Sequence, residues 1–328
     1  MNNTDTLEKI IRHQKNKDPA YPFREHLLIP VYRVEHTLRR CVDSILRQDF
    51  TDWEMILVDD GSDDSSPQIC DEYAAKDPRI RTVHQPNRGL GAARNTGMDV
   101  AHGELIMFAD SDDYVGEGTL GALAAYMDHN EDVDMAEFPF ERIRAGGQSE
   151  LRTFTPRTYT DPIAYFFKEG AYTHSYAWNK IYRRTTLGNV RFVERKKFED
   201  MLTLPRFLKA CRKIGMTSVG RYVYVDNPDG ITAKAGKELA HLLEAHSAMM
   251  DIIGWECPHG IRKKLFTRYY AHVLNIQIDV YRLVGRKMLL VRRKRYFGTP
   301  KLAMVAILGV ERTCRIMKTI YKTCKNNR

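Results

Sequence analysis

This sequence of 328 residues has few cysteines and few long apolar runs. Its six cysteines form no Cys-x-x-Cys pair, and none stands with histidines at the spacing of a zinc site. The longest apolar run outside the body of the chain, Leu302 to Val310, is about half of the ~20 residues that a membrane-spanning helix needs. Residues 1–20 are polar and lack the apolar stretch of a signal peptide. These absences predict a cytoplasmic protein with reduced thiols and no membrane-spanning segment.

An excess of positive charge is also absent, except at one end of the chain. The sequence has 51 Lys and Arg against 42 Asp and Glu, which gives a net charge of +9. Residues 286–328 contain 13 of the basic residues and one acid, Glu311, so this segment carries +12 and residues 1–285 carry −3. A nucleic-acid-binding protein would have its basic surface on the folded body, so that class is excluded and no nucleic-acid partner is expected.

Apolar runs alternate with helical patterns in the first part of the chain. Four short runs are typical of buried strands, at residues 27–31, 54–58, 80–83 and 104–109. Strands joined by helices over such short connections predict an α/β fold with a mostly parallel, Rossmann-like sheet covered by helices. Ligands of such sheets bind at the carboxyl ends of the strands.

Acidic clusters follow two of these strand patterns. Asp110-Ser111-Asp112-Asp113 comes after the fourth, and carboxylates at alternate positions there can reach one Mg²⁺ or Mn²⁺ together with phosphate oxygens. Asp59-Asp60-Gly61-Ser62 comes after the second, where a carboxylate can accept hydrogen bonds from a base or a ribose. Each cluster also fits a plain turn that begins the next helix, and both interpretations stay open at this point.

A glycine-rich segment covers residues 87–97. Gly89-Leu90-Gly91-Ala92-Ala93 has the beginning of a dinucleotide-binding fingerprint, but Arg94 stands at the position of the third small residue. A dehydrogenase is therefore the weaker interpretation. An arginine at this position can instead contact a base or a phosphate with its planar guanidinium group.

Together these segments resemble those of family 2 glycosyltransferases of the bacterial surface-polysaccharide type. The resemblance rests on four motifs, namely Ile29-Pro30-Val31-Tyr32 with Glu35, Val58-Asp59-Asp60-Gly61-Ser62 with Asp64, residues 87–97, and Phe108-Ala109-Asp110-Ser111-Asp112-Asp113. It is strong over residues 26–115, and it continues more weakly through Trp178-Asn179-Lys180-Ile181-Tyr182 and Phe198-Glu199-Asp200 to about Thr232. It implies the GT-A fold, a helical C-terminal region and transfer of a sugar from a nucleotide-diphosphate donor.

The resemblance also implies a role for individual residues. The residues expected to bind the nucleotide sugar are Pro30, Val31, Glu35, Asp59, Asp60, Arg94, Asp110, Ser111 and Asp112. Asp112 and Asp110 are the expected ligands of Mn²⁺ or Mg²⁺, and Asp200 is the expected catalytic base. Trp178 is interpreted either as a contact to a sugar ring or as a core residue.

Two departures from the family pattern shape the expected reaction. Arg33 stands where the family usually has Asn, and the Gln-x-x-Arg-Trp signature of processive synthases is absent, which implies transfer of one sugar per encounter. If a metal stabilises the leaving diphosphate and Asp200 takes the acceptor's proton, one in-line displacement inverts the anomeric centre. The expected donor is a UDP-sugar and the expected acceptor is a glycan or a lipid-linked hydroxyl.

The chain is predicted to have three regions, a polar extension at 1–24, a GT-A domain at 25–232 and a helical region at 233–328. When the last helix is projected at 100° per residue, its apolar side contains Thr313, Ile316, Met317, Ile320, Tyr321 and Cys324. The opposite side contains Arg312, Arg315, Lys318, Lys322 and Lys325. With Arg292-Arg293-Lys294-Arg295 before it, this helix predicts peripheral attachment to an anionic surface at the inner face of the cell membrane. Packing on the body, with the basic side in solvent, is the alternative.

Two further classes of function fit parts of the pattern. A sugar-phosphate nucleotidyltransferase has a similar sheet but carries a glycine-rich loop after its first strand, where this chain has Pro30-Val31-Tyr32-Arg33. A non-catalytic peripheral membrane adaptor would need only the basic tail, and the acidic clusters would then be coincidental.

Overall fold

The computed structural model describes residues 23–228, 230, 236–254, 257–284 and 299–326, with side chains up to Ile320. The chain divides into two compact units. The first comprises Met1–Thr158, Ala177–Asn189 and Gly215–Asp226, and the second comprises Tyr159–Tyr176, Val190–Ile214 and Asn227–Arg328. Most of the predicted extension at 1–24 and the predicted boundary at 232 lie outside the described residues, so the three predicted regions stay a prediction.

The strands form two sheets. In chain order they are β1 Glu25–Val31, β2 Trp53–Asp59, β3 Ile80–His84, β4 Leu105–Phe108, β5 Tyr114–Val115, β6 Met135–Glu137, β7 Phe140–Ile143, β8 Ser149–Arg152, β9 Arg157–Tyr159, β10 Lys180–Arg183, β11 Ile214–Met216 and β12 Tyr222–Val225. The larger sheet has the order β3-β2-β1-β4-β10-β6-β11-β9, and the smaller one has the order β5-β12-β7-β8. The four strands expected from the apolar runs are confirmed as β1 to β4.

The larger sheet is mixed rather than wholly parallel. Strands β1, β2, β3 and β4 pair in parallel, but β10 runs antiparallel to both β4 and β6. Strands β1 and β2 are buried at every position, which explains why both are nearly continuous apolar runs. The parallel register places the carboxyl ends of β1, β2 and β4 at one edge of the sheet.

The helices of the first unit cover this sheet. In chain order they are α1 Leu38–Leu46, α2 Ser66–Lys76, α3 Leu90–Val100 and α4 Thr119–His129, and a short helix, Arg184–Leu187, follows β10. Helix α2 has a proline in its first turn, where the missing N–H costs no hydrogen bond within the helix. The next helix begins after Gly89, whose φ of +90° favours glycine, so the glycine-rich segment 87–97 becomes a loop and a helix start.

A buried ion pair crosses the larger sheet between β10 and β6. Lys180 and Glu137 face each other in the strand register, and Lys180 Nζ lies 3.2 Å from Glu137 Oε1. Asn179 joins them, because its amide donates to Glu137 Oε1 at 3.0 Å and its oxygen accepts from Lys180 Nζ at 2.9 Å. All three side chains are buried, and charges in such a position need hydrogen-bonded and ion-paired partners.

The second unit is mainly helical, as predicted for the residues beyond 233. Its longer helices are Glu199–Ala210, Leu239–Ile253, Lys263–Val284, Pro300–Leu308 and Val310–Asn326. The rings of Phe166, Phe167 and Tyr172 lie 5.0, 5.6 and 4.9 Å from that of Tyr269, and all four are buried. These aromatic residues therefore build a core. No helix among the described residues is both long enough and apolar enough to cross a bilayer.

The last helix packs on Lys263–Val284 and Pro300–Leu308 with only part of its predicted apolar side. Thr313 and Cys314 are buried, whereas Ile316 and Ile320 are 38% and 45% exposed. Ile307, in the preceding helix, is 76% exposed. The side chains from 321 onward and the whole of Arg292–Arg295 lie outside the described residues.

Candidate functional site

The loops after β1 and β2 meet at the carboxyl edge of the larger sheet. Val31 pairs with Asp59 in the strand register, and Asp60 N–H donates to the Val31 carbonyl at 2.9 Å. Pro30 and Val31 are buried at the end of β1. Two of the motifs on which the family resemblance rests are therefore in direct contact.

Side chains connect the same two loops. Glu35 Oε2 accepts from Ser65 N–H at 3.0 Å, and Glu35 N–H donates to Asp64 at 3.2 Å. The hydrogen bonds from Ser65 lower the pKa of Glu35. Arg33 has a φ of +53°, a region in which Asn is enriched, and its guanidinium group binds Asp63 through two hydrogen bonds of 2.6 Å. Arg33 thus adopts a backbone conformation that suits Asn. Its side chain connects the loop after β1 to the loop after β2.

Asp59 is buried and serves the turn that follows β2. Its Oδ1 accepts from Ser62 N–H at 3.0 Å, and its Oδ2 lies 3.0 Å from Nδ1 of His84 on β3. Asp71 contacts the other ring nitrogen of His84 at 3.1 Å. The pKa of His84 is raised, chiefly by its hydrogen bond to Asp59. Asp59 thus fixes a turn, but the interpretation in which Ser62 or Asp63 caps the next helix is wrong, because the N-cap residue of α2 is Ser65.

Asp60 holds the glycine-rich loop against the end of β2. One of its oxygens accepts from the Gln85 amide at 2.6 Å and from Arg88 N–H at 2.9 Å, and the other accepts from Gly89 N–H at 2.7 Å. Gly61 has a φ of +71°, and a Cβ there would lie 2.8 Å from Asn87 N. The close approach of the two loops therefore requires both the carboxylate and the glycine.

Arg94 and Asp110 form a pair at the end of β4. Arg94 lies on α3, is 2% exposed, and its Nη2 donates to Asp110 Oδ1 at 2.7 Å. Ser111, next in the turn, is also buried. The carboxyl edge thus brings together all nine residues predicted to bind the nucleotide sugar, while Arg94 contacts Asp110 within the protein.

The acidic turn concentrates negative charge. Asp113 is fully buried, and burial together with the charges of Asp112 and Asp110 raises its pKa well above the usual range. The main-chain oxygen of Asp112 accepts a hydrogen bond from Arg40. Within the described part of the chain, no three His, Cys, Asp or Glu side chains are grouped to hold a metal ion. Mg²⁺ in phosphate-transfer sites commonly uses one or two carboxylates and completes its shell with phosphate and water.

Trp178 lies in the core of the first unit. Its ring stacks on Tyr222 at 4.5 Å and on Tyr224 at 5.6 Å, and Phe140 contacts it edge-on at 5.1 Å. The residue is 4% exposed. Of the two interpretations of Trp178, the core residue fits this packing and the sugar contact does not.

Asp200 lies in the second unit, in the first turn of the helix Glu199–Ala210. The residue before this helix, Phe198, has a φ of +62° and acts as its N-cap residue. Asp200 Oδ1 accepts from Met201 N–H at 2.6 Å, and Glu199 is buried. The structure confirms the pair as a helix start, and the catalytic role of Asp200 stays a prediction.

Two contributors to the acidic turn were missed by sequence reasoning. Tyr222 accepts a hydrogen bond from Asp110 N–H although it lies 112 positions away, and Arg40 contacts the turn from α1. Neither residue belongs to a motif or to a local spacing that connects it with residues 110–113. Only the pairing of β12 with β5 brings Tyr222 to this turn.

Comparisons with known proteins agree with this arrangement. The sequence model of Glycosyl transferase family 2 matches residues 27–191. EpsJ of Bacillus subtilis, described as an uncharacterised glycosyltransferase, is 35% identical over 219 residues, which cover 63% of this chain and 62% of EpsJ. TarS of Staphylococcus aureus, a poly(ribitol-phosphate) β-N-acetylglucosaminyltransferase, is 32% identical over 62% of this chain and 36% of TarS. The chain therefore spans less than two thirds of the length of either relative.

Solved structures share the fold. Residues 1–349 of S. aureus TarS, in complex with UDP-GlcNAc, superpose with a TM-score of 0.62 and 19% identity over 92% of both chains. The mannosyltransferase PcManGT of Pyrobaculum calidifontis, in complex with GDP-Man and Mn²⁺, gives a TM-score of 0.56 and 17% identity over 96% of this chain and 90% of that one. The predicted GT-A fold is confirmed. Since the family's sequence model covers just over half of the chain, the protein belongs to glycosyl transferase family 2.

Proposed function

We propose that this chain is an inverting, metal-dependent glycosyltransferase that acts in surface-polysaccharide synthesis. It would move a single sugar from a nucleoside diphosphate to a hydroxyl group of a glycan or lipid-linked acceptor. The observation that carries this proposal is the turn Asp110-Ser111-Asp112, which leaves β4 at the same edge as the loops of β1 and β2, with Arg94 bound to Asp110.

The proposed donor is a UDP-sugar. TarS, whose fold this chain shares, is known in complex with UDP-GlcNAc and with UDP. Pro30, Val31, Glu35, Asp59 and Asp60 would form the wall beside the nucleoside. Because Asp59 and Asp60 already accept hydrogen bonds within the protein, they would act mainly by fixing the shape of that wall.

Asp112, with Asp110 beside it, is the proposed ligand of Mn²⁺ or Mg²⁺. The donor set fits a hard cation, because Asp110 and Asp112 offer carboxylate oxygens from one turn. Arg94 offsets part of the charge of Asp110, and Asp112 is proposed as the main ligand. When bound to the diphosphate, such an ion stabilises the charge of the leaving group.

Asp200 is the proposed general base. Its carboxylate would take the proton of the acceptor hydroxyl while that oxygen attacks the anomeric carbon. The bond from this carbon to the diphosphate oxygen breaks at the same time, and the nucleoside diphosphate leaves with the bonding electron pair. One displacement of this kind inverts the configuration at the anomeric carbon.

The proposed activity is tested by release of nucleoside diphosphate from a panel of nucleotide sugars, UDP-GlcNAc, UDP-glucose, UDP-galactose and GDP-mannose, with Mn²⁺ present. We expect release from a UDP-sugar that rises on addition of acceptor glycan and stops with EDTA. Pyrophosphate formation from UTP and a sugar phosphate would instead support a nucleotidyltransferase. Absence of both activities, together with no nucleotide binding by calorimetry, would support the adaptor class.

We further propose that the last two helices bind an anionic membrane surface. The exposed side chains Ile307, Ile316 and Ile320 accompany Arg312 and Arg315, which are also exposed. Apolar side chains that enter the headgroup layer beside basic residues are typical of interfacial helices. Such attachment would bring the enzyme to a lipid-linked acceptor.

Replacing two of these arginines is expected to weaken membrane binding. Each basic residue near an anionic surface contributes about 1 kcal/mol, so Arg312→Gln/Arg315→Gln should lower partitioning onto phosphatidylglycerol vesicles roughly thirtyfold. The measurement is vesicle co-sedimentation of the full chain. The matched control is Arg144→Gln/Arg152→Gln, which removes the same charge from β8 and its preceding loop. Equal losses in both double variants would show a net-charge effect, and no loss in the first would refute attachment through this helix.

A further inference from the structure

Two buried side chains lie behind the acidic turn and have no role in the mechanism above. Tyr222, on β12, and Asp113 are both fully buried. Asp110 N–H donates to Tyr222 Oη at 2.9 Å, and Tyr222 Oη lies 3.0 Å from Asp113 Oδ2. Val225 N–H donates to the other oxygen, Asp113 Oδ1, at 2.8 Å. These contacts join the turn to a strand more than 100 positions away in the sequence.

The direction of these hydrogen bonds is fixed by their chemistry. A tyrosine hydroxyl has one proton, and Oη already accepts from the amide of Asp110. Its proton therefore points to Asp113 Oδ2, and Asp113 accepts both of its bonds. Because all of these groups are buried, the loss of any one member leaves another without its hydrogen-bond partner, which is unfavourable.

The hydroxyl of Tyr222 is itself held in place. Its ring stacks on Trp178 with an interplanar angle of 16°, and its backbone pairs with Val115 on one side and Phe140 on the other. The strand and the stacked ring thus leave Oη little freedom. Buried Trp178, which does not fit the sugar contact, supports this tyrosine.

Side chains from β12, α3 and α1 contact the turn. Tyr222 holds the amide of Asp110, Arg94 holds its carboxylate, and Arg40 binds the carbonyl of Asp112. The first contact fixes where the main chain enters the turn, and the third fixes where it leaves. The direction in which the carboxylate of Asp112 projects depends on both.

We propose that Tyr222, oriented by Asp113, is a positioning residue that sets the geometry of the Asp110–Asp112 turn for a metal-bound diphosphate. This inference rests on the proposed function. It goes beyond that function because it assigns the geometry of the turn to two residues that would touch neither metal nor nucleotide.

Tyr222→Phe tests the inference, because it keeps the ring that stacks on Trp178 and removes only the hydroxyl group. Calorimetry would give the affinity for UDP in the presence of Mn²⁺ and in the presence of EDTA. The affinity with Mn²⁺ divided by the affinity with EDTA measures how strongly metal and nucleotide cooperate. We expect Tyr222→Phe to lower this ratio about tenfold, because the amide of Asp110 loses its partner and the turn no longer holds Asp112 in place for the metal. Binding without metal should change much less.

The control is Tyr224→Phe, which removes a hydroxyl group two positions along the same strand from another ring that stacks on Trp178. We expect it to keep the wild-type ratio. Asp113→Asn, nearly the same shape, is the second variant, because its amide has one acceptor oxygen and cannot accept from both Tyr222 Oη and Val225 N–H as the carboxylate does. It should lower the ratio as Tyr222→Phe does, and it provides the result if Tyr222→Phe does not fold.

The outcomes separate this inference from the proposed function. A wild-type protein that binds UDP no better with Mn²⁺ than with EDTA contradicts both. A wild-type protein with strong cooperation and an unchanged ratio in Tyr222→Phe and Asp113→Asn overturns the positioning role alone. A general fall in UDP affinity, with the ratio preserved, would also overturn it, because that is the result of a merely structural defect.

Discussion

Replacing Asp200 by asparagine is expected to slow sugar transfer by about 10²–10⁴-fold, which is the usual contribution of a general base. Asparagine has nearly the same shape and can still accept a hydrogen bond at the helix start, but it cannot take a proton at neutral pH. Donor affinity should be nearly unchanged, because the proposed nucleotide and metal ligands all lie in the first unit. Nucleoside diphosphate release with acceptor present, and UDP calorimetry, measure the two quantities.

The matched control for Asp200→Asn is Glu199→Gln, which removes a neighbouring negative charge from the same first turn of the helix. A carboxylate at a helix N-terminus typically contributes about 0.3–1 kcal/mol to stability, so both variants should lose a little of it. Only Asp200→Asn should lose transfer. Near-normal turnover in that variant would remove Asp200 from the mechanism, and equal losses in both would point to helix stability as the cause.

Replacing Glu137 by leucine is expected to destabilise the protein by about 3–5 kcal/mol, because it leaves the ammonium group of Lys180 buried without its carboxylate. Whole proteins are stable by only about 5–15 kcal/mol, so this one substitution would remove a large share. The urea concentration at the unfolding midpoint measures the loss.

A double variant separates the buried charge from simple packing in this prediction. Glu137→Leu/Lys180→Met removes both charges and keeps the volume, and replacement of whole buried pairs by apolar residues is often neutral or stabilising. We expect the double variant to recover most of the stability lost in Glu137→Leu. If the single and double variants unfold at the same urea concentration, the ion pair does not account for the loss.

The first four strands could be predicted from the sequence because their pattern is local. Buried parallel strands are continuous apolar runs, and the loops after them contain the polar residues of the site. The antiparallel insertion of β10 between β4 and β6 could not be predicted in this way. Its sequence, Lys-Ile-Tyr-Arg, begins with a buried lysine that pairs with Glu137 on a strand distant in the sequence.

The position of the acidic motifs in the fold could be predicted from the sequence. The hydrogen bonds of their side chains could not. The motifs placed Asp59, Asp60 and Asp110 at the carboxyl edge, where the structure has them. Their hydrogen bonds to His84, Gln85 and Arg94 depend on side chains from neighbouring elements, and no spacing in the sequence specifies them. The same holds for Trp178, because its burial is set by β12 and not by its own motif.

The carboxylate of Asp60 has a consequence for the thermodynamics of donor binding. It ties Arg88 and Gly89 to the end of β2, so hydrogen bonds within the protein hold the glycine-rich loop. Fixing the backbone of one residue costs about 1–2 kcal/mol of conformational entropy. For this loop the entropy is lost when the protein folds and not when the nucleotide binds. A nucleotide that binds at this edge meets a preorganised surface, and its affinity is not reduced by the need to order the loop.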